Sequence, residues 1–431
     1  MSHETFHYQS LEEVRDTARM LGAFVPLSED LTPLYAPLSL GGKSAVNRIA
    51  FQPMEGTDGT DEGAPGPLTV RRYERFAKAG PGLIWFEAVA TVPEGRASAH
   101  QLYLTEQNLD AFRRLNDRIR EICLNENGYI PLIVMQATNS GRYSKPNGYP
   151  EPMIAYNCPP LEDTPLPKER IVSDDQLRRY ESAFESAARL SQRAGFDGMD
   201  VKCCHRYLAC ELLSAYTRPG SYGGSYENRT RFLKNAYRAA QAGASGDFFL
   251  TSRLNVYDGF PYPYGFGVRE GSLEPDMTEP IRLIRELQDA FGIPLINVTM
   301  GNPYKNPHVN RPYDRGNYVP DEHPLTGVGR MMQGLSEIQA ALPCLPVLGS
   351  AFSYLRQFSP NLAAGMVGAG HCAMAGFGRM AFAYPNFVQE ARRTGQVDKR
   401  SVCITCGQCA ALLRAGKPAG CVMRDREVYK L

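Results

Sequence analysis

Eight short apolar runs, each followed by a stretch of helical periodicity, succeed one another through most of this chain. They begin at Arg48-Ile-Ala-Phe-Gln-Pro-Met54, Gly82-Leu-Ile-Trp-Phe-Glu-Ala88 and Ile130-Pro-Leu-Ile-Val-Met-Gln136, and continue at Gly198 to Val201, Phe248 to Leu254, Pro294 to Thr299, Pro346 to Gly349 and His371 to Gly376. A crossover helix after each strand returns the chain in the same sense, so the strands must pair in parallel. Eight such units are expected to close as a (β/α)8 TIM barrel, with the C-terminal strand ends facing one shared site. The competing architecture, a doubly wound sheet, calls for G-x-G-x-x-G after an early strand, and none stands there. Helix 109–125 carries Leu109, Phe112, Leu115, Ile119 and Ile122 on one face. Helix 174–194 opens on a Ser173-x-x-Gln176 capping box, and Gly243 and Gly292 fit C-terminal caps.

The Pro-, Gly- and Tyr-rich stretches 138–173 and 255–276 then read as loops over the site. Residues 1–33 form an N-terminal extension with one helix at about 10–21, residues 34–398 the barrel, and residues 399–431 a C-terminal segment. Lys+Arg 47 against Asp+Glu 46 leaves no electrostatic footprint for nucleic acid or an anionic membrane. The N-terminus lacks a basic start before an apolar stretch, and no apolar run reaches bilayer length. These features predict a soluble cytoplasmic protein acting on a small molecule, and a homo-oligomer is compatible with them. Of 11 cysteines, Cys123, Cys158, Cys203, Cys204, Cys210, Cys344 and Cys372 are scattered without disulfide spacing, so reduced thiols are expected.

The remaining four are organised. Cys403-x2-Cys406-x2-Cys409-x11-Cys421 has the spacing of a [4Fe–4S] cluster, three ligands from one loop and a distant fourth closing the cube. Zinc is the alternative, although it usually takes two separated C-x2-C pairs or a Cys/His mixture.

The stretch from Ala194 through Asp200-Val-Lys-Cys-Cys-His-Arg-Tyr207 to Ser221-Tyr-Gly-Gly-Ser-Tyr-Glu-Asn-Arg229 is the densest in chemistry. It resembles the old yellow enzyme family of FMN-dependent oxidoreductases, whose fourth strand carries two polar residues three apart followed two later by tyrosine. The likeness runs from about Leu34 to Pro385 and includes Asn47-Arg-Ile with Pro53-Met54, Glu87-Ala88, Gln136 with Gly141-Arg142, Arg253, and Gly376-Phe-Gly-Arg379. A subgroup of this family, including 2,4-dienoyl-CoA reductase and trimethylamine dehydrogenase, adds a four-cysteine cluster and then a nucleotide-binding reductase module. This chain ends at Leu431. The resemblance therefore implies NAD(P)H acting on the flavin directly, or a separate reductase or electron carrier feeding the cluster.

By that resemblance, Arg253 stands by flavin N1 and the C2 carbonyl, where reduced flavin gathers negative charge. Gln136 reads the pyrimidine edge; Pro53, Met54, Glu55 and Ala88 approach the ring; and Gly349, Ser350, Gly378 and Arg379 hold the phosphate. Tyr207 corresponds to the proton donor, and Lys202 and His205 to the pair that binds the substrate oxygen. Lysine departs from the family's usual His/His or His/Asn pair. Tyr207 has an alternative as a core tyrosine, and Lys202 as a charge tied to Glu55 or Asp200.

Reduction of a C=C bond activated by a carbonyl or carboxylate is the leading function. The alternatives are oxidation of a tertiary amine and a non-catalytic electron-transfer subunit. Glu55 replaces the flavin-linking cysteine of trimethylamine dehydrogenase, and the one Trp, Trp85, lies on a strand. A cation cage would then need Tyr257, Phe260, Tyr262, Tyr264 and Phe266, which otherwise form an aromatic lid.

Overall fold

The strand expected at 248–254 is split in two, and the split closes the sheet. The computed structural model describes residues 2–431. Its barrel strands are Ile49–Phe51, Leu83–Ala90, Leu132–Thr138, Gly198–Val201, the pair Phe249–Thr251 and Arg253–Asn255, then Ile296–Thr299, Val347–Gly349 and Met374–Phe377. Phe249 pairs with Gly198 of the fourth strand, whereas Arg253 pairs with Asn297 of the sixth, and every pairing in this sheet is parallel. Ser252 bridges the two halves: its hydroxyl donates to Val201 O at 2.7 Å and its carbonyl accepts from Asn297 N at 2.9 Å. The nine segments are thus eight strands of a closed (β/α)8 barrel.

Strand side chains alternate between two cores. Ala50, Leu83, Trp85, Leu132, Val134, Phe249, Leu295 and Leu348 fill the barrel. Their neighbours Ile49, Phe51, Ile84, Phe86, Ile133 and Met135 pack outward with the helices. Burial of both faces is why these strands read as unbroken apolar runs.

The first barrel strand is shorter than its apolar run, and the reading omitted an antiparallel hairpin before it. Leu38–Leu40 pairs with Lys43–Ala45 across a Gly41-Gly42 turn, and Leu40 and Ala45 plug the end of the barrel interior away from the site.

Helices Leu109–Asn127 and Asp174–Arg193 form as expected, the latter with both bonds of its capping box. Gly292 caps its helix with φ +62°, whereas Gly243 is the last residue of helix Tyr226–Gly243 and its follower, Ala244, is extended. Gly243 serves packing: a Cβ there would lie 2.0 Å from the Glu185 carbonyl, so it lets two helices touch. The N-terminal helix, Leu11–Met20, is capped by Ser10 and buries Val14 and Ala18. Among the described residues no helix is long and apolar enough to cross a membrane.

Candidate active site

The expected cofactor-facing residues meet at the C-terminal ends of the strands, around one open cleft. Pro53, Met54, Glu55, Gln136, Lys202, His205, Tyr207, Arg253, Ser350, Gly378 and Arg379 all line it. Ala88 and Gly349 stand behind the wall. Ala88 accepts from Gln101 Nε2 at 3.3 Å through its carbonyl, and Gly349 accepts from Gln52 Nε2 at 3.2 Å.

Asp200, at the centre of the barrel, aims one side of the cleft. It accepts from Gln136 Nε2 at 2.6 Å, the Arg253 backbone N–H at 2.7 Å and Trp85 Nε1 at 2.8 Å. Burial pushes its carboxyl up to about 6 against those donors. Gln136 retains its carbonyl oxygen and a second N–H. Burial depresses the Arg253 guanidinium, whose Nε has no hydrogen-bond partner. A buried cation with unused donors requires an electron-rich partner. The residues present fit the pyrimidine side of a flavin at this position.

The loop after the fourth strand presents the remaining chemistry in a constrained backbone. His205 and Arg206 both have positive φ, +64° and +59°. Non-glycine residues accept this only where surroundings impose it. Here a fully buried ion pair does so: Arg206 Nη1 lies 2.8 Å from Asp258 Oδ2. His205 is held neutral, first by burial and then by the nearby Arg253 and Lys202 charges, and its Nε2 is buried without a partner. Tyr207 is pushed well above the ordinary tyrosine range by burial, Glu55 and Tyr304, so it is a protonated phenol. Lys202 Nζ sits 3.5 Å from Glu55 Oε1 and 3.8 Å from the centre of the Tyr207 ring. Of the two acids weighed for Lys202, Glu55 is its ion-pair partner, while Asp200 is engaged elsewhere.

Glu55 is itself held by a buried network under the loop. The Gly56 N–H donates to Glu87 Oε2 at 2.7 Å, and Arg72 joins Glu87 at 2.5 Å to Asp58 at 2.6 Å. Residue 56 has to be glycine, because a Cβ would lie 2.2 Å from the Arg72 guanidinium, which that network immobilises. The Gly56 carbonyl accepts from Ala419 N at 2.7 Å, tying the C-terminal segment to the cleft.

At the opposite end lie Ser350, Ala351 with φ +71°, Gly378 and Arg379. Arg379 donates to Pro312 O at 3.1 Å, and its other terminal nitrogen is buried without a partner. Arg311 joins it; burial and the Arg379 and Arg414 charges pull its guanidinium down to about 10. Crowded cations with free donors fit a phosphate.

Several wall residues were not anticipated. Tyr304 places its hydroxyl 3.0 Å from that of Tyr207 and stacks on Tyr143 at 3.8 Å. Gln52 holds the Ser350 hydroxyl at 3.0 Å, and Arg311 is described above. The available signal was position: Tyr304 and Arg311 lie in the loop after the sixth strand, and Gln52 directly after the first. Conversely, none of Tyr257, Phe260, Tyr262, Tyr264 and Phe266 lines the cleft, and Tyr257, Phe260 and Phe266 are core residues. Their loop folds onto Asp258, which accepts from Phe266 N at 3.0 Å, so it makes neither cage nor lid over the cleft.

Cys403, Cys406, Cys409 and Cys421 are free thiols lining one small pocket, enclosing about 370 Å³, with Arg379 and Phe382 in its wall. Cys409, Arg379 and Phe382 also line the large cleft, so the two spaces share a partition. Among the described residues no three His, Cys, Asp or Glu side chains gather closely enough to hold a metal ion.

The closed barrel thus brings an unpartnered guanidinium, a group of crowded cations and a buried phenol to one cleft. The chain belongs to the NADH:flavin oxidoreductase / NADH oxidase family, whose model matches residues 33–292. It is 32% identical over 230 residues to an NADPH dehydrogenase of Bacillus pumilus, a match covering 52% of this chain and 65% of that one. It is 30% identical over 275 residues to an NADPH dehydrogenase of Geobacillus, covering 63% and 73%. Among solved structures, 2-naphthoyl-CoA reductase with 2-naphthoyl-CoA superposes with a TM-score of 0.74 at 20% identity, covering 92% of this chain and 57% of that one. Histamine dehydrogenase from Rhizobium gives 0.68 at 19%, covering 91% and 52%. An old yellow enzyme homologue from Zymomonas mobilis gives 0.62 at 20%, covering 85% and 94%.

Proposed function

We propose that the protein is an FMN- and [4Fe–4S]-dependent reductase of carbon–carbon double bonds activated by a carbonyl or carboxylate. The observation that carries this reading is the pairing of a protonated Tyr207 with the unpartnered His205 Nε2 on one wall of the cleft. FMN, when bound, supplies the hydride. Arg253 and Gln136 would hold its pyrimidine side, and Ser350, Gly378 and Arg379 its phosphate. His205 and Lys202 bind the substrate oxygen, drawing electron density from the β-carbon, and the Tyr207 hydroxyl gives its proton to the α-carbon. None of the five aromatic residues of the 255–276 loop lines the cleft, so that loop supplies no cage for oxidation of a tertiary amine. Unpartnered polar groups facing the cleft argue against a purely electron-relaying subunit. NADH, NADPH or a protein carrier is the source of electrons.

Cluster chemistry is supported by the cysteine pocket. One zinc ion needs four ligands about 2.3 Å from a single point. A cubane gives each thiolate its own iron, so the sulfurs stand apart around a bulky core. The four cysteines line one pocket, and their Cys-x2-Cys-x2-Cys spacing favours the cubane. Anaerobically purified protein is expected to contain iron and acid-labile sulfide, and Cys406→Ala to lose most of both while keeping flavin. Zinc in place of iron would refute the cluster.

The catalytic reading is tested by mixing dithionite-reduced protein, without oxygen, with enone and enoate acceptors. Flavin reoxidation yielding the saturated product is expected. If no alkene reoxidises the flavin while an amine reduces it, the assignment is wrong.

A further inference from the structure

Glu55 is the meeting point of groups that catalysis would use separately. Its Oε1 lies 3.3 Å from the Tyr207 hydroxyl and 3.5 Å from both Lys202 Nζ and Gln101 Nε2. It reaches them from the end of the first strand, whereas Lys202 and Tyr207 come from the fourth. We propose that Glu55 is a positioning residue that relays a proton from Lys202 to Tyr207, restoring the acid after each reduction. This rests on the reductase reading above.

Proton balance motivates the assignment. When the β-carbon takes a hydride, the electron pair of the C=C bond moves to the α-carbon. A new C–H bond forms there as the Tyr207 O–H bond breaks, leaving a phenolate. That phenolate is buried beside Glu55 and Tyr304, a setting that opposes its charge. Tyr304, 3.0 Å away, is itself a buried phenol whose pKa burial and Glu55 raise, so a proton passed from it would only move the phenolate to an equally hostile site. Among the neighbours of Tyr207, Lys202 is the amine donor, but its Nζ lies over the ring rather than at the oxygen. Glu55 touches both ends. An N–H proton passes to the carboxylate, the resulting carboxyl O–H protonates the phenolate, and the neutral amine regains a proton from water before the next cycle.

The surroundings leave Glu55 suited to this. The charged and titratable groups facing it are Lys202, Tyr207, Tyr304 and the Cys204 thiol, and Gln101 adds a neutral donor. The pair Arg72 and Glu87 holds the next residue's backbone, so the carboxylate is fixed without being bonded to Arg72 itself.

Glu55→Gln tests the relay, because the amide oxygen still accepts from Tyr207 and Lys202 but the side chain cannot take up a proton and pass it on. Per bound flavin, the variant is expected to turn over alkene about tenfold or more slowly, up to the ~10²-fold at the low end of what a general acid contributes. Its solvent deuterium isotope effect should rise, and Glu55→Asp should recover part of the rate. Independently of turnover, the phenolate absorbance of Tyr207, isolated by difference against Tyr207→Phe, should titrate at lower pH in Glu55→Gln. Wild-type rate and isotope effect in Glu55→Gln would overturn the relay. So would equal loss in both variants with an unchanged isotope effect, which marks a merely structural carboxylate. A wild-type protein that reduces no alkene would instead overturn the reductase reading, and the relay with it.

Discussion

An Arg253→Met protein is expected to fold at least as stably as the parent and to lose its grip on flavin. The two effects share one cause. Arg253 is a buried guanidinium whose charge is depressed by desolvation and whose Nε bonds to nothing. Its backbone N–H is held by Asp200, a contact methionine preserves. Replacing an unpaired buried charge with an apolar side chain of similar length removes a desolvation penalty from the unliganded barrel. The loss falls on the ligand: a hydrogen bond to a charged group contributes about 1.5–3 kcal/mol, so the dissociation constant should rise roughly 10- to 100-fold. Flavin retained after gel filtration, a fluorescence titration of apoprotein and the thermal midpoint of the apo form read the three quantities. Undiminished flavin affinity would remove Arg253 from the cofactor site. A sharply lower apo midpoint would show that the side chain serves the barrel instead.

The physical origin of each feature explains what could be read from sequence. The strands were legible because a parallel barrel buries both their faces; Leu132 and Val134 point inward while Ile133 and Met135 point outward, and all are apolar. The hairpin at Leu38–Ala45 was not, since three residues on either side are too few to display alternation, although Gly41-Gly42 is a turn signal. Site residues in the C-terminal parts of strands, such as Gln136 in Leu132–Thr138 and Arg253 in the second half of the split fifth strand, could be placed because the fold dictates where those ends point. Tyr304 and Arg311 sit in the irregular segment after the sixth strand, and nothing local foretells that Tyr304 meets a hydroxyl from the fourth. The Tyr-Gly-Gly-Ser loop is the reverse case, a strong signal that marks scaffold. Ser225 caps the next helix through Asn228 N at 3.3 Å, and Arg229 bonds Leu213 O and Glu279, both at 2.6 Å. None of that loop lines the cleft.

Asp258→Ala is the substitution expected to cost most stability, and its effect on the site should exceed what stability explains. Asp258 neutralises Arg206 with both side chains fully buried, and it also accepts from Asn255 Nδ2 at 2.6 Å and Phe266 N at 3.0 Å. Removing one member of such a pair leaves an uncompensated charge and costs about 3–5 kcal/mol. That is a large share of the ~5–15 kcal/mol that holds a typical domain together. The urea midpoint should therefore fall steeply. A second variant separates the fold from the loop: Arg206→Met with Asp258→Leu removes both charges, and should regain much of the lost midpoint, as apolar replacement of a buried pair often does. It should not regain activity. His205 and Arg206 have φ of +64° and +59°, and with the Arg206 guanidinium and its buried contacts gone the backbone is expected to relax toward negative φ. His205 Nε2 then turns away from the cleft. A double variant with near-parental midpoint and strongly reduced turnover is the expected outcome. Parental turnover in that variant would show that the buried pair supports the fold alone and that His205 is aimed by other contacts.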